Sequence, residues 1–212
     1  MESRAITITS QKDKDLSIQI IPGHFATNHS HINYFIDMTA TKHQFKMASV
    51  AAREMAAYYV NNTPIDTIVC MDGTEVIAAN LAYELTKSGV QSINEGANIN
   101  IITPEFNNGQ MIFRDNAQKM LWNKHVLMLM ASVTTGKTIN RALECIKYYG
   151  GIVAGISTIF SAISEKEGIE INYLFSPADI PDYHSYSFKE CPYCSEHKKI
   201  DAIVNSYGYS KI

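Results

Sequence analysis

The sequence predicts an α/β protein with a mainly parallel sheet covered by helices on both faces. Apolar, β-rich runs alternate with helical patterns along the chain, which is typical of such sheets. The clearest example begins at His125, where an apolar run leads into a hydroxyl- and glycine-rich turn and then into a helix. The chain has 212 residues, 46% of them hydrophobic, and can therefore bury one sizeable core.

The first loop that could bind an anion is the Asp-Gly-Thr-Glu segment at 72–75. It lies between an apolar run at 68–71 and a helical pattern at 76–85, so free N–H groups at the start of that helix could bind phosphate or pyrophosphate. Its carboxylates could instead bind Mg²⁺ carried by the ligand. The alternative is that Asp72 only caps the helix and Glu75 only favours its first turn.

The second loop joins the apolar run at 125–133 to the next helix and consists of Thr134, Thr135, Gly136, Lys137 and Thr138. Its backbone N–H groups and threonine hydroxyls could hold a phosphate, and the glycine would let the backbone come close. Apolar residues at helical spacing predict a helix that ends at Gly150-Gly151, and 152–160 is predicted to be the next strand. The alternative is a buried strand and a threonine-rich turn without a ligand.

The C-terminal region contains a possible zinc knuckle. Cys191 and Cys194 are two residues apart, and His197 or His184 could supply a further nitrogen for tetrahedral zinc. A reduced pair without metal and a redox disulfide are the alternatives. Cys70 and Cys145 fall in predicted buried segments and are expected to be core thiols.

Three histidines, His24, His29 and His31, cluster in a polar N-terminal stretch. The intervening Asn28 and Ser30 also suit a hydrogen-bonded loop. Contacts with a ligand or a second subunit are therefore favoured over a metal site.

Composition indicates an ordinary soluble domain. The formal charge is −3 and no basic run alternates with aromatic residues, so nucleic acid is not expected as the main partner. No apolar run reaches the roughly 18–20 residues of a membrane helix, and the N-terminus lacks the apolar core of a signal peptide. A cytoplasmic location without membrane association is the expectation.

Residues 126–138 resemble the PRPP-binding motif of type I phosphoribosyltransferases, in which four apolar residues precede two acids, two further residues and a Thr-Thr-Gly-x-Thr loop. In this register Met130 and Ala131 occupy the two acidic positions that hold the ribose hydroxyls of PRPP in that family. The chain thus keeps the phosphate loop and lacks both ribose-binding acids. The orotate phosphoribosyltransferase branch is the most similar.

Other segments follow that branch in the same order. They are an aromatic segment at 33–37, a helix at about 46–60, a strand and pyrophosphate loop at 68–75, a strand at 99–102 and a mobile catalytic hairpin over 103–113. The resemblance implies a type I phosphoribosyltransferase-like domain at 1–182 with a small N-terminal hood at about 1–45. Residues 183–212 would form a C-terminal appendage carrying the Cys-x-x-Cys pair.

The resemblance also implies roles for the two loops and the hairpin. Thr134 to Thr138 would hold the 5-phosphate of PRPP or a nucleoside monophosphate, and Mg²⁺ would accompany PRPP. A homodimer is expected, since such enzymes commonly complete each site with a neighbour's loop. The pyrophosphate loop would consist of Asp72, Gly73, Thr74 and Glu75, and the catalytic-loop candidates are Asn108, Gly109 and Arg114.

Two functions are compatible with these residues. The first is transfer of phosphoribose from PRPP to a nitrogen base with release of pyrophosphate. The second is sensing of PRPP or a nucleotide by a catalytically inactive protein of the same fold. The hairpin segment 103–110 contains no basic residue, and together with the missing acids this favours the second function on physical grounds, whereas the family resemblance favours the first.

Overall fold

The computed structural model describes residues 1–89 and 91–212, and its strands form a central sheet, a hood sheet and one small hairpin. The strands are β1 Ile6–Thr9, β2 Ser17–Ala26, β3 His31–Asp37, β4 Thr67–Cys70, β5 Asn100–Ile102, β6 Glu105–Asn107, β7 Gln110–Ile112, β8 His125–Val133, β9 Ile152–Ser161, β10 Glu165–Lys166, β11 Ile169–Phe175, β12 Ser185–Tyr186, β13 Ala202–Asn205 and β14 Gly208–Lys211. The helices are α1 Thr39–His43, α2 Phe45–Ala56, α3 Glu75–Thr86, α4 Asp115–Gln118, α5 Lys137–Tyr148 and α6 Pro192–Ser195.

The central sheet has the strand order β10-β11-β9-β8-β4-β5. Every pair in it is parallel except β10 with β11. All four residues of β4 are buried, as are six consecutive residues of β8. Continuous apolar runs of this kind are expected where helices cover both faces of a parallel sheet. The predicted fold class is confirmed.

Helices cover the two faces of this sheet with separate cores. One core joins α2 and α3 to Ile68, Leu127 and Leu129, and it extends to hood residues such as Ile20. The other core packs α5 against Val126, Met128 and Met130, and it also includes Phe113 and Leu121. Since side chains alternate along a strand, consecutive residues of β8 belong to different cores.

The hood sheet contains strands from both ends of the chain. Its order is β12-β3-β2-β13-β14, and β1 pairs with β2. Strand β13 runs parallel to β2, with Ala202 opposite Phe25, and β12 pairs with β3, with Tyr186 opposite His31. The segment 183–212, predicted as an appendage, therefore supplies three strands of the hood.

Element boundaries differ from the prediction at two places. The helix expected over 46–60 ends at Ala56, where Tyr58 and Tyr59 donate to carbonyl groups three residues earlier and tighten the last turn. Within the hairpin predicted over 103–113, residues 105–107 and 110–112 form strands β6 and β7, which Asn108 and Gly109 join. Both residues have positive φ, 49° and 78°, as a two-residue hairpin turn requires.

Candidate functional site

The loop 134–138 lies at the start of α5. Gly136 is the N-cap of α5 with φ 70°, and a Cβ there would lie 3.0 Å from Ile163 Cδ1, so the position favours glycine. Within the described ranges 1–89 and 91–212, no atom accepts a hydrogen bond from the backbone N–H of Thr135, Gly136 or Lys137. Three free donors therefore point from the positive end of a 12-residue helix.

A small cavity over this loop adjoins a larger pocket. The small cavity has a volume of about 60 Å³ and the pocket about 270 Å³. Both are lined by His29, Met130, Ser132, Thr134 and Thr138, so they are continuous at this end of β8. A phosphate in the small cavity would leave the rest of its molecule in the larger pocket.

The walls of the larger pocket come from the hood, the central sheet and the C-terminal region, and they combine aromatic and aliphatic surfaces with a few polar groups. The apolar lining residues include Ile32, Phe35, Ile36, Phe160, Tyr183 and Val204. The polar lining residues include Thr27, Asn28, Asp72, Asn205 and Ser206. Mixed lining of this kind is typical of sites for small organic ligands.

The two positions of the missing acids differ in their surroundings. Met130 is 2% exposed and lines both cavities, whereas Ala131 is 0% exposed and lies in the core shared with α2 and α3. The strand partner of Met130 is Thr158, whose buried Oγ1 has no hydrogen-bond partner among the described residues. Only position 130 therefore presents its side chain to the pocket.

The segment 72–75 lies at the start of α3, beside the pocket, but Asp72 does not cap the helix. The N-cap is Thr74, and Glu75 is in the first turn, where Oε1 accepts a hydrogen bond from Thr103. Asp72 has φ 62° and Gly73 has φ 76°. The Ser206 hydroxyl donates to Asp72 Oδ1 over 2.9 Å, which connects this loop to the C-terminal region.

Burial raises the pKa of Asp72 above its usual value, although hydrogen bonds from Ser206 and the Ala131 backbone and the nearby charge of Lys42 oppose the shift. A buried carboxyl group that already has protein partners is poorly placed to bind a metal ion by itself. Asp72 therefore does not cap α3, and its carboxylate is not free to bind a metal ion.

Lys42 is a residue of this region that the sequence analysis did not single out. It is 2% exposed, and Nζ donates to the carbonyl oxygens of Asp72 over 3.0 Å and Ser206 over 2.6 Å. Burial lowers its pKa, while the negative charges of Asp72, Asp37 and Glu75 oppose that effect. No sequence motif identifies this lysine, because its partners Asp72 and Ser206 are far from it in the chain and meet it only in the folded protein.

The catalytic-loop candidates lie apart from the pocket. Asn108 and Gly109 form the tip of the β6–β7 hairpin, which faces α5 near Cys145, and neither residue lines the larger pocket. Arg114 forms a two-point ion pair with Glu105, with N···O distances of 2.7 and 2.6 Å. The structure thus brings loops 72–75 and 134–138 to the pocket, and not these three residues.

A second cluster consists of His24, His31, Cys191 and Cys194, which we call the Cys–His group. Its four potential ligand atoms all lie within 4.8 Å of one another, so the group could hold a metal ion. The zinc prediction combined the cysteines with His197 or His184, and neither belongs to this group. His184 Nε2 instead lies 2.8 Å from Asp182 Oδ1, and His197 follows α6 with φ 55°.

The strand pairing explains this difference. Because β12 pairs with β3 and β13 pairs with β2, the knuckle between them folds onto the β2–β3 hairpin that carries His24 and His31. The sequence shows the histidine cluster and the cysteine pair as separate features. Only the pairing of distant strands connects them.

Within residues 1–89 and 91–212, the structure contains no helix that is both long enough and apolar enough to cross a membrane.

Comparisons with known proteins indicate one relationship. No family model matches the chain. An orotate phosphoribosyltransferase of Caldicellulosiruptor saccharolyticus is 24% identical over 186 residues, which cover 87% of this chain and 88% of the relative. The orotate phosphoribosyltransferase of Chlorobium phaeobacteroides is 23% identical over 185 residues, covering 86% and 88%.

A solved phosphoribosyltransferase from Corynebacterium diphtheriae has the same fold. Its TM-score with this chain is 0.50 at 16% identity, and the match covers 76% of this chain and 90% of the other. The sequence relatives cover most of the chain, and the solved structure supports the same overall fold. The chain is therefore a type I phosphoribosyltransferase-like protein that resembles orotate phosphoribosyltransferase.

Proposed function

We propose that this protein binds the 5-phosphate of PRPP or of a nucleoside monophosphate in loop 134–138, with the ribose and base in the adjoining pocket. The observation that carries the proposal is the free backbone N–H groups of Thr135, Gly136 and Lys137. These residues lie at the start of α5 and line the small cavity that adjoins the pocket. Free amides at a helix N-terminus favour a bound phosphate.

The pocket supports binding better than it supports transfer of phosphoribose. Release of pyrophosphate requires positive groups around the departing charge, and each lost electrostatic contact costs about 2–4 kcal/mol of transition-state stabilisation. Here Lys42 Nζ is bonded to two carbonyl groups, and Arg114 is paired with Glu105. Met130 offers no carboxylate to the ribose. Sensing of the ligand without turnover is therefore the function that we favour.

Transfer of phosphoribose is the second candidate, and similarity to orotate phosphoribosyltransferases over 87% of the chain favours it. In that reaction the bond between C1 of the ribose and pyrophosphate breaks while a bond to a base nitrogen forms. The residues near loop 72–75 do not form an open magnesium site, because half-buried Asp72 already accepts a hydrogen bond from Ser206 and Glu75 accepts one from Thr103. Any Mg²⁺ would have to be held by PRPP.

We also propose a cytoplasmic homodimer. The hairpin that carries Asn108 and Gly109 lies apart from the pocket of its own chain, and in the resembling enzymes a neighbour's loop completes the site. None of the four cysteines, all of which lie in the described ranges, forms a disulfide, which suits a reducing compartment.

A thermal-shift screen with PRPP, orotate, orotidine monophosphate and other nucleotides tests the binding proposal. A ligand at about one hundred times its Kd stabilises by about 2.7 kcal/mol, which corresponds to a rise in Tm of roughly 5–10 °C for a chain of this size. We expect such a rise with at least one ligand that carries a 5-phosphate and none with the matching nucleoside. A screen in which no phosphorylated ligand raises Tm would contradict the proposal. Release of pyrophosphate from PRPP and a base would support the second candidate.

A further inference from the structure

We infer that the Cys–His group binds one structural zinc ion through His24 Nε2, His31 Nδ1, Cys191 Sγ and Cys194 Sγ. The inference concerns a site separate from the phosphate loop and does not depend on the proposed function. Two thiolates and two imidazoles are a common ligand set for structural zinc.

The distances in the group are those of ligands around a shared ion. With Zn–S of about 2.3 Å and Zn–N of about 2.0–2.1 Å, a tetrahedral site places neighbouring ligand atoms roughly 3.4–3.8 Å apart. The observed distances from His24 Nε2 are 3.0 Å to His31 Nδ1, 3.5 Å to Cys191 Sγ and 3.7 Å to Cys194 Sγ. Cys194 Sγ lies 3.2 Å from His31 Nδ1. The remaining pairs of ligand atoms lie within 4.8 Å, so an ion at the centre would require movements of up to about 1 Å.

Hydrogen bonds alone cannot satisfy this arrangement. His24 Nε2 has either one hydrogen or one lone pair, yet three polar atoms surround it within 3.7 Å. Three members of the group are also removed from water, since His24 is 3% exposed, His31 7% and Cys191 2%, whereas Cys194 is exposed. A central cation would give all four atoms a common partner.

The surroundings of His24 orient it for metal binding. Its Nδ1 lies 3.1 Å from the carbonyl oxygen of Lys198, which can only accept, so Nδ1 carries the hydrogen and the lone pair of Nε2 faces the group. Metal-binding histidines usually donate their other N–H to such a carbonyl or carboxylate. The rings of Tyr193 and Phe188 lie over His24 and His31, with centroid distances of 5.3 and 5.1 Å, and enclose the group on its outer side.

The zinc would be structural, because four protein ligands complete a tetrahedron and leave no position for a substrate. It would connect the β2–β3 hairpin to the segment between β12 and β13, which contains only the four-residue helix α6. Strand β13 continues into Asn205 and Ser206, which line the larger pocket. The ion would thus fix the C-terminal wall of the ligand pocket.

The test uses the full chain purified without chelator from medium that contains zinc. Elemental analysis should give about one zinc per chain. The variants Cys191→Ser and His31→Ala should each lose most of the metal, whereas Cys145→Ser should retain it, because that half-buried thiol lies on α5 and outside the group. Retention of zinc by both of the first two variants would overturn the assignment.

Wild-type protein gives a test that does not depend on the folding of variants. Metal-free protein titrated with Co²⁺ should develop the visible absorption of a tetrahedral cobalt thiolate site at one equivalent, and Zn²⁺ should abolish it. Less than about a tenth of an equivalent of zinc as purified, with no cobalt spectrum, would overturn the inference. A disulfide between Cys191 and Cys194, seen as a loss of two hydrogens in mass and no alkylation, would also overturn it.

Discussion

At the scale of single residues, we propose that Met130 distinguishes this pocket from that of a transferase. Its side chain lines both the small cavity and the larger pocket, and the motif resemblance aligns it with a carboxylate of the transferases. A thioether cannot accept strong hydrogen bonds from ribose hydroxyls, and it makes this wall apolar. The ligand is therefore expected to be held through its phosphate.

We predict that the protein converts orotate and PRPP at least about a hundredfold more slowly than an orotate phosphoribosyltransferase that has both acids. One lost electrostatic contact accounts for about two to three orders of magnitude. Formation of orotidine monophosphate measures the rate. Turnover in the ordinary range of about 1–1000 per second would show that another group has replaced the carboxylates.

Two substitutions separate the roles of the acidic positions. Met130→Asp should strengthen PRPP binding, because the new carboxylate would face the pocket beside the unpartnered Thr158 hydroxyl. Ala131→Asp should instead lower the free energy of unfolding by several kcal/mol, since it buries a charge in the core near Asp72. Calorimetry measures the PRPP affinity of each variant, and urea denaturation measures its free energy of unfolding. If the two variants changed affinity and stability to the same extent, the difference between positions 130 and 131 would be contradicted.

Asp72 should make stability depend on pH in a direction opposite to that of an ordinary ion-paired acid. Burial raises its pKa above 3.8 in the folded state, so the folded chain keeps this proton to higher pH than the unfolded chain does. The contribution of Asp72 to the free energy of unfolding is therefore lost as the pH rises from its unfolded-state pKa through its folded-state pKa. We expect wild type to lose free energy of unfolding relative to Asp72→Asn as the pH rises above about 4, measured by urea denaturation. A difference that does not change with pH would contradict the shift.

Site residues could be predicted from the sequence where their position depends on neighbouring residues in the chain. They could not be predicted where it depends on contacts between segments that are far apart in the chain. The loop 134–138 lies where its strand–turn–helix pattern indicated, because a helix N-terminus is a local structure. Lys42 and Ser206 are 164 residues apart, and no local pattern indicates that they meet. The same holds for His24 and Cys191, which are 167 residues apart.

At the scale of elements, strand β9 requires a glycine where the chain beyond α2 packs on it. A Cβ at Gly155 would lie 2.9 Å from Cε1 of Tyr59. That ring cannot easily move, because it is 2% exposed and its hydroxyl lies 2.7 Å from Ser157 Oγ and accepts from Asn172. Close packing around the ring and the hydrogen bonds of its hydroxyl group thus both fix the position of Tyr59.

We predict that Gly155→Ala lowers the free energy of unfolding by about 1–3 kcal/mol, as overpacking of a filled core does. The matched test is a double-mutant cycle with Tyr59→Leu, in which the smaller side chain makes room for the methyl group. The combined loss should be smaller than the sum of the single losses by at least about 0.5 kcal/mol. Additive losses would show that the two residues do not compete for the same space.

Helix α5 could be predicted from the sequence, and the short C-terminal strands of the hood could not. Helix α5 lies where its apolar spacing and the Gly150-Gly151 end indicated, and its four periodic residues are buried. By contrast, β12 has two residues and β13 has four, which is too short for a periodic signal. Their place in the hood depends on partners near residues 25–32. The prediction of an appendage at 183–212 therefore did not include the hood strands that this segment forms.

At the scale of the whole molecule, we predict a homodimer. The β6–β7 hairpin faces α5 and not the pocket of its own chain, so its tip can serve a ligand site only after a movement or in a neighbour. Light scattering at tens of micromolar should give about 47 kDa, twice the 23.7 kDa of one chain. A mass near that of a single chain would contradict the dimer.

The central claim is that loop 134–138 holds a 5-phosphate, and calorimetry on one matched ligand pair tests it most directly. Orotidine monophosphate should bind the wild-type protein, whereas orotidine should bind far more weakly. Thr138→Ala should weaken binding of the phosphate at least about tenfold, since a hydrogen bond to a charged group contributes about 1.5–3 kcal/mol. Thr7→Ala, on an exposed strand, is the control and should bind as wild type does. Equal binding of the two ligands, or unchanged binding by Thr138→Ala, would contradict the account.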